Sequence, residues 1–267
     1  MKIAMTMATI CVFSISAHAQ NELTRKEIYR INCGAVVQIY ANGGFSGVGF
    51  IVGGGIVMTA NHVVTTRESR FTQYSSDLKV VIEGRGGSYP AAPVAPLVSN
   101  DQVNYDSAII KIEFTDLPHV NLGTWNELDI GDGLVMLASF PGFGCIALEG
   151  TVAKKAPFIT PLGPKPVNTV LFQAPVRNGF SGSPIFGRTG HVIGIEDTKV
   201  FGISIGLSDL RDKWIEAAKQ GGGVWIQGVN VRDNFLELIN NLDQNLISGL
   251  GSGVDIGYAK AEQESQK

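Results

Sequence analysis

The sequence predicts an all-β protein: two stacked antiparallel β-barrels followed by C-terminal helices. Three observations carry that prediction. Short β-rich runs recur at regular intervals, each closed by Gly, Pro or Asn. The runs form two groups of similar size, one ending near Phe114 and one beginning near Val120. After Ser208 the apolar spacing changes to a helical period.

Taken in order, Met1-Lys2, the uncharged run Ile3–Ala17 and the small-x-small Ala17-His18-Ala19 have the layout of a secretory signal over residues 1–19. The run is short of the ~20 apolar residues that a membrane span needs. Cleavage after Ala19 would remove Cys11 and leave Cys33 and Cys145, whose pairing the sequence leaves open. The first barrel is expected over 20–120. Its strands are Ala35–Tyr40, Gly47–Val52, Ile56–Ala60, Lys79–Glu83 and Ala108–Ile112, with Asn42-Gly43-Gly44 and Gly53-Gly54-Gly55 as turns. The second barrel is expected over 121–207, with strands Leu134–Ala138, Cys145–Val152, Val170–Gln173, Val192–Ile195 and Gly202–Ile205. Leu210, Trp214, Ile215 and Ala218, then Phe235, Leu236, Leu238, Ile239 and Leu242, predict a helical segment over 208–248. Residues 249–267, Gly/Ser-rich and then polar, read as a flexible tail.

Composition sets outer limits. A chain of 267 residues with 44% hydrophobic and 17% charged residues can bury a core and is not disordered. Its 33 glycines follow no fixed period, which excludes collagen. A net charge of −3 gives no support for nucleic-acid binding. No CxxC or His/Cys cluster suggests a zinc site, so neither metal nor organic cofactor is expected.

Three segments carry chemistry. His62 follows a strand in Thr59-Ala60-Asn61-His62-Val63-Val64, and Asp106 precedes one in Tyr105-Asp106-Ser107-Ala108. Ser181 lies in the turn Asn178-Gly179-Phe180-Ser181-Gly182-Ser183-Pro184. A serine nucleophile needs a base, the base an orienting acid, and the oxyanion needs N–H donors. These segments supply those parts in the order His, Asp, Ser. Each residue alone would be a packed histidine or a turn residue; the three together point to a triad. His119 and His191 have no such setting and read as structural.

From Cys33 to Leu210 these motifs resemble the trypsin-like serine peptidases, in particular the bacterial HtrA-type branch. Further carriers are Gly47–Val52, Asp106–Ile112, Gly179–Phe186 and Gly190–Ile195. The resemblance implies two six-stranded barrels and an endopeptidase acting on polypeptides through an acyl-enzyme. His62 would be the base, Asp106 the orienting acid and Ser181 the nucleophile, with Gly179 and Ser181 N–H groups forming the oxyanion hole. Pro175, Val176, Asn178, Ile195 and Glu196 would border the substrate pocket. Pro175 stands where trypsins carry an acid, so a small or medium aliphatic side chain is expected there. The signal implies a periplasmic or secreted protein, with no membrane span in the mature chain.

The sequence departs from the family at Phe180, where Asp or Asn is usual, and at Ser183, where a second Gly is usual. Phe180 leaves two readings: it anchors the nucleophile loop by packing, or the loop stays loosely formed until substrate arrives. A catalytically weak descendant that binds peptides or partner proteins in its cleft is the competing function. The helical end is expected to lack the PDZ modules of the HtrA type, and the oligomeric state is not encoded legibly.

Overall fold

The computed structural model describes residues 22–68, 71–94, 105–159, 166–199, 215–216, 225–226, 229–230, 234–238 and 248–265. The expected signal segment and the expected strand Gly202–Ile205 lie outside the described residues. So does most of the expected helical segment, within which 215–216 and 234–238 are helical.

Helix α1 (Arg25–Asn32) opens the described chain with a capping box, in which Thr24 and Glu27 satisfy each other's backbone N–H groups. A 3₁₀ turn at Cys33–Ala35 leads into β1 (Val36–Ala41), β2 (Gly44–Gly53) and β3 (Ile56–Thr59). The short helix α2 (Asn61–Val64) and the hairpin β4 (Thr65–Glu68)–β5 (Phe71–Tyr74) follow. Then come β6 (Leu78–Ile82), β7 (Ser88–Pro90), β8 (Ala92–Pro93) and β9 (Ala108–Lys111). Seven of these strands form one nearly closed antiparallel sheet in the order β7-β6-β1-β2-β3-β9-β8. This nearly closed sheet is the first of the two expected barrels, with seven strands where the resemblance implies six. Its two edge strands are short and carry Pro90 and Pro93, which lack the N–H needed to extend a ladder.

The second unit is a closed barrel. Its strands are β10 (Gly133–Phe140), β11 (Gly144–Ile159), β12 (Pro166–Val176), β13 (Pro184–Phe186), β14 (Val192–Lys199) and β17 (Ser248–Asp255), ordered β10-β11-β12-β17-β14-β13. The small ladder β15 (Trp225–Ile226)–β16 (Val229–Asn230) precedes β17, and helix α3 (Ile256–Ser265) follows it. Strand β17 corrects the expectation of a flexible tail from residue 249. It pairs with β12 on one side and β14 on the other, so the barrel does not close without it. Its glycines made it read as a loop, yet they are packing residues. A Cβ at Gly251 would sit 2.6 Å from the Phe172 ring, and one at Gly253 would press into Ile185.

The two units share one core. Val48, Phe50 and Ile51 of β2, Met136 and Leu137 of β10, and Phe172 and Phe186 are fully buried. Each such side chain contributes roughly 1.5–3 kcal/mol relative to exposure. Across the seam, buried Gln38 donates to Ser139 Oγ at 3.2 Å, and Glu83 accepts from Cys145 N–H at 2.7 Å. Cys33 and Cys145 are joined as a disulfide with a Cα–Cα distance of 5.9 Å, which settles the pairing.

Candidate active site

Asp106 is placed first, because the orientation of His62 depends on it. Asp106 lies two residues before β9 and has a φ of +47°, a left-handed conformation that Asp tolerates better than most side chains. Its carbonyl accepts from Asn61 N–H at 3.1 Å, which pins the loop to the start of α2. Its carboxylate is buried and reaches His62 twice, taking the main-chain N–H at 2.9 Å and Nδ1 at 2.6 Å. A carboxylate only accepts, so Nδ1 carries a proton toward it and Nε2 is the tautomer's basic nitrogen. The His62 side chain remains 43% exposed, against 3% for Asp106, so the imidazole faces solvent while its partner carboxylate does not.

Ser181 reaches this region through its turn. Strand β12 ends at Val176, and Phe180 N–H donates to Arg177 O at 3.2 Å while Ser183 N–H donates to Phe180 O at 2.9 Å. The turn then docks on the first sheet, where Val48 N–H of β2 donates to Ser181 O at 2.9 Å. Gly47 marks the meeting point: a Cβ there would lie 2.7 Å from both Ser181 O and the side chain of Val63, the residue after His62. Gly182 has a φ of +88°, and a Cβ would collide with Val48 O and Thr59 Oγ1. The turn that carries Ser181 is thus wedged against Val48 of β2 and Thr59 at the end of β3, the strand that leads to His62.

Phe180 is 3% exposed and packs by its edge on Phe140, with centroids 4.9 Å apart. Phe140 in turn packs on Phe45 at 5.4 Å, and the Arg177 guanidinium lies 4.6 Å over the Phe140 ring. Gly179, with a φ of +91°, sits in the notch between Phe45 and Phe140. Of the two readings of Phe180, the loop is anchored by packing. Phe45 and Phe140 carry no sequence signal of this role, since Phe143 of the same turn is 78% exposed.

The expected pocket residues divide by orientation. Pro175 and Asn178 are exposed, whereas the side chains of Val176, Ile195 and Glu196 are buried. The main chain of Glu196 braces the turn that carries Ser181, its N–H donating to Ser183 O at 2.9 Å and its carbonyl accepting from Gly182 N–H at 2.8 Å. His191 is fixed by Glu127 at 3.1 Å, and Glu127 also takes Thr189 Oγ1 and Thr124 N–H.

The profile of the trypsin-like peptidase domain matches residues 47–195, from the β2 segment docked on Ser181 to the strand below it. The chain belongs to the trypsin-like peptidase family. Within that family it is 30% identical over 151 residues to a "Probable periplasmic serine endoprotease DegP-like" from Hahella chejuensis, covering 56% of this chain and 29% of the relative. It is 32% identical over 172 residues to the Homo sapiens "Serine protease HTRA4", covering 62% and 33%. The chain therefore spans about a third of the length of the curated relatives it matches. The solved HtrA-type protease AlgW with decapeptide has the same trypsin-like fold, with a TM-score of 0.62 over 91% of this chain and 67% of that one at 16% identity.

Proposed function

We propose that this trypsin-like chain is a serine endopeptidase of the periplasm or the secreted fraction, hydrolysing polypeptides through His62, Asp106 and Ser181. The observation that carries the reading is the pair of hydrogen bonds that His62 donates to the Asp106 carboxylate, beside a nucleophile turn locked to Val48. Family membership and the periplasmic name of the DegP-like relative support activity and location. Among the described residues, no helix is long and apolar enough to cross a membrane.

In this mechanism Ser181 Oγ attacks the scissile carbonyl and passes its proton to His62 Nε2. Asp106 holds the imidazole tautomer and stabilises the imidazolium. The N–H groups of Gly179 and Ser181 receive the oxyanion, and losing such a donor costs about 3–4 kcal/mol of transition-state stabilisation. The imidazolium protonates the leaving amine, and water then resolves the acyl-enzyme by the same route. The anchored Phe180 supports an oxyanion loop formed before substrate binds, and so favours an enzyme over a cleft that merely binds.

Intact-mass analysis after incubation with a fluorophosphonate tests the reading. One adduct is expected on the wild-type protein and none on Ser181→Ala. A wild type that takes no adduct, or a Ser181→Ala variant that keeps it, overturns the assignment.

A further inference from the structure

We propose that Tyr258 is a positioning residue for the catalytic acid, holding the Asp106 loop through a ring stack on Tyr105. The inference rests on the reading of Asp106 as the triad's acid, and it brings into the site a helix that follows the last barrel strand.

Helix α3 begins where β17 ends, and Asp255 Oδ1 takes Gly257 N–H at 2.9 Å to fix that start. Ile256 and Ala259 bury themselves in the core. Tyr258, one turn position away, lies flat on Tyr105, with ring centroids 4.0 Å apart and planes 7° from parallel. The helix itself is immobilised at two other points. Tyr258 Oη accepts Asn168 N–H of β12 at 3.0 Å, and Lys260 Nζ donates to Leu122 O at 3.3 Å and to Gly123 O on the segment joining the two units. Burial first, then the nearby Asp255 and Tyr105, raise the Tyr258 phenol above its ordinary value despite the Asn168 hydrogen bond. The ring therefore stays neutral through the pH range in which His62 works as a base.

Tyr105 immediately precedes Asp106, and this sets what the stack controls. Asp106 is a non-glycine residue at positive φ, a conformation that persists only where its surroundings over-determine it. Asn61 N–H holds the loop through the Asp106 carbonyl, and the Tyr105–Tyr258 stack holds it from the preceding residue. Both hydrogen bonds that His62 donates to Asp106 depend on that loop position. A displacement of about 1 Å in such a group costs on the order of a hundredfold in rate.

Tyr258→Ala and Tyr258→Phe are compared in the full chain, at a temperature where circular dichroism shows each variant folded. Two readouts are taken: kcat and KM on a peptide substrate, and the low-field Nδ1 proton of His62 in the NMR spectrum, assigned with His62→Ala. Tyr258→Ala should lower kcat about tenfold or more with little change in KM, and should lose the low-field proton. Tyr258→Phe keeps the stack, and should retain both the proton and most of kcat. If Tyr258→Ala does not fold, Tyr105→Ala removes the same stack from the loop side and is read in the same way. An unchanged proton and kcat in the Ala variant, or equal losses in the Phe variant, overturn the proposal. The proton is informative without turnover: in a wild type that takes no fluorophosphonate adduct, its loss in Ala and retention in Phe still support the stack's role. Its absence from the wild type overturns both the His62–Asp106 pairing and the role built on it.

Discussion

A methyl group added at residue 182 would need space already occupied by Val48 O and Thr59 Oγ1, in a backbone conformation that an L side chain resists. Strain and overpacking each cost about 1–3 kcal/mol, so Gly182→Ala should lose roughly 4 kcal/mol in urea unfolding. Gly142→Ala is the control, because Gly142 has a φ of +81° with nothing within 4 Å of its missing Cβ. It should lose only about 1 kcal/mol. Equal losses at the two positions would show that the contact with Val48 does not constrain the turn. Glu127 makes a second prediction. Burial pushes its carboxyl up, but hydrogen bonds from Thr189, His191 and Thr124 outweigh that and leave it below the ordinary glutamate value. A lowered folded-state value contributes stability that is complete above the unfolded-state value and is lost as pH falls through the folded one. The stability gap between wild type and Glu127→Gln should therefore close on acidification below the ordinary carboxyl range. A gap that stays constant to lower pH would refute this.

The nucleophile turn and strand β17 show how far local sequence carries an element. The segments around His62, Asp106 and Ser181 were legible as strand-and-turn settings because each leaves a local pattern. Strands such as Val36–Ala41 and Gly133–Phe140 were legible for the same reason, their apolar runs being bounded by turn residues. Strand β17 was not legible. Its glycines serve distant side chains, Phe172 and Ile185, which no window around residue 250 contains. The burial of both Ile195 and Glu196 was hidden for a related reason, since it depends on the pairing of β14 with β13 and β17. The aromatic support of the nucleophile turn spans Phe45, Phe140 and Phe180, from three separate elements. Phe180→Ala should cost about 3–5 kcal/mol in stability and slow fluorophosphonate labelling, whereas Phe180→Leu should keep most of both. Labelling at the wild-type rate in Phe180→Ala would mean that the turn does not need this anchor.

The two units are held as one molecule by a shared core, the buried Gln38–Ser139 contact and the Cys33–Cys145 disulfide. The pairing could not be read from sequence because the cysteines are 112 positions apart, and the packing of β1 against β10 and of α1 and the Cys33–Ala35 turn against β11 brings them together. That separation gives the bond its leverage. A cross-link limits the unfolded chain more as its loop lengthens, and in the chain-entropy account a loop of this size is worth about 4–5 kcal/mol. The disulfide joins the Cys33–Ala35 turn to β11, where Glu83 of the first unit also takes the Cys145 N–H, whereas His62 lies on α2, Asp106 before β9 and Ser181 between β12 and β13. Reduction should therefore lower stability while leaving the proposed chemistry of the folded chain intact. The measurement is urea unfolding with and without dithiothreitol, on wild type and on the Cys33→Ser/Cys145→Ser double variant. Wild type should lose about 4 kcal/mol on reduction. The double variant should start at that lower value and ignore the reductant, and below its unfolding transition it should take the fluorophosphonate at the wild-type rate. A wild type whose midpoint ignores dithiothreitol would mean that the shared core alone holds the two units together. A folded double variant that labels slowly would instead tie the seam to the site.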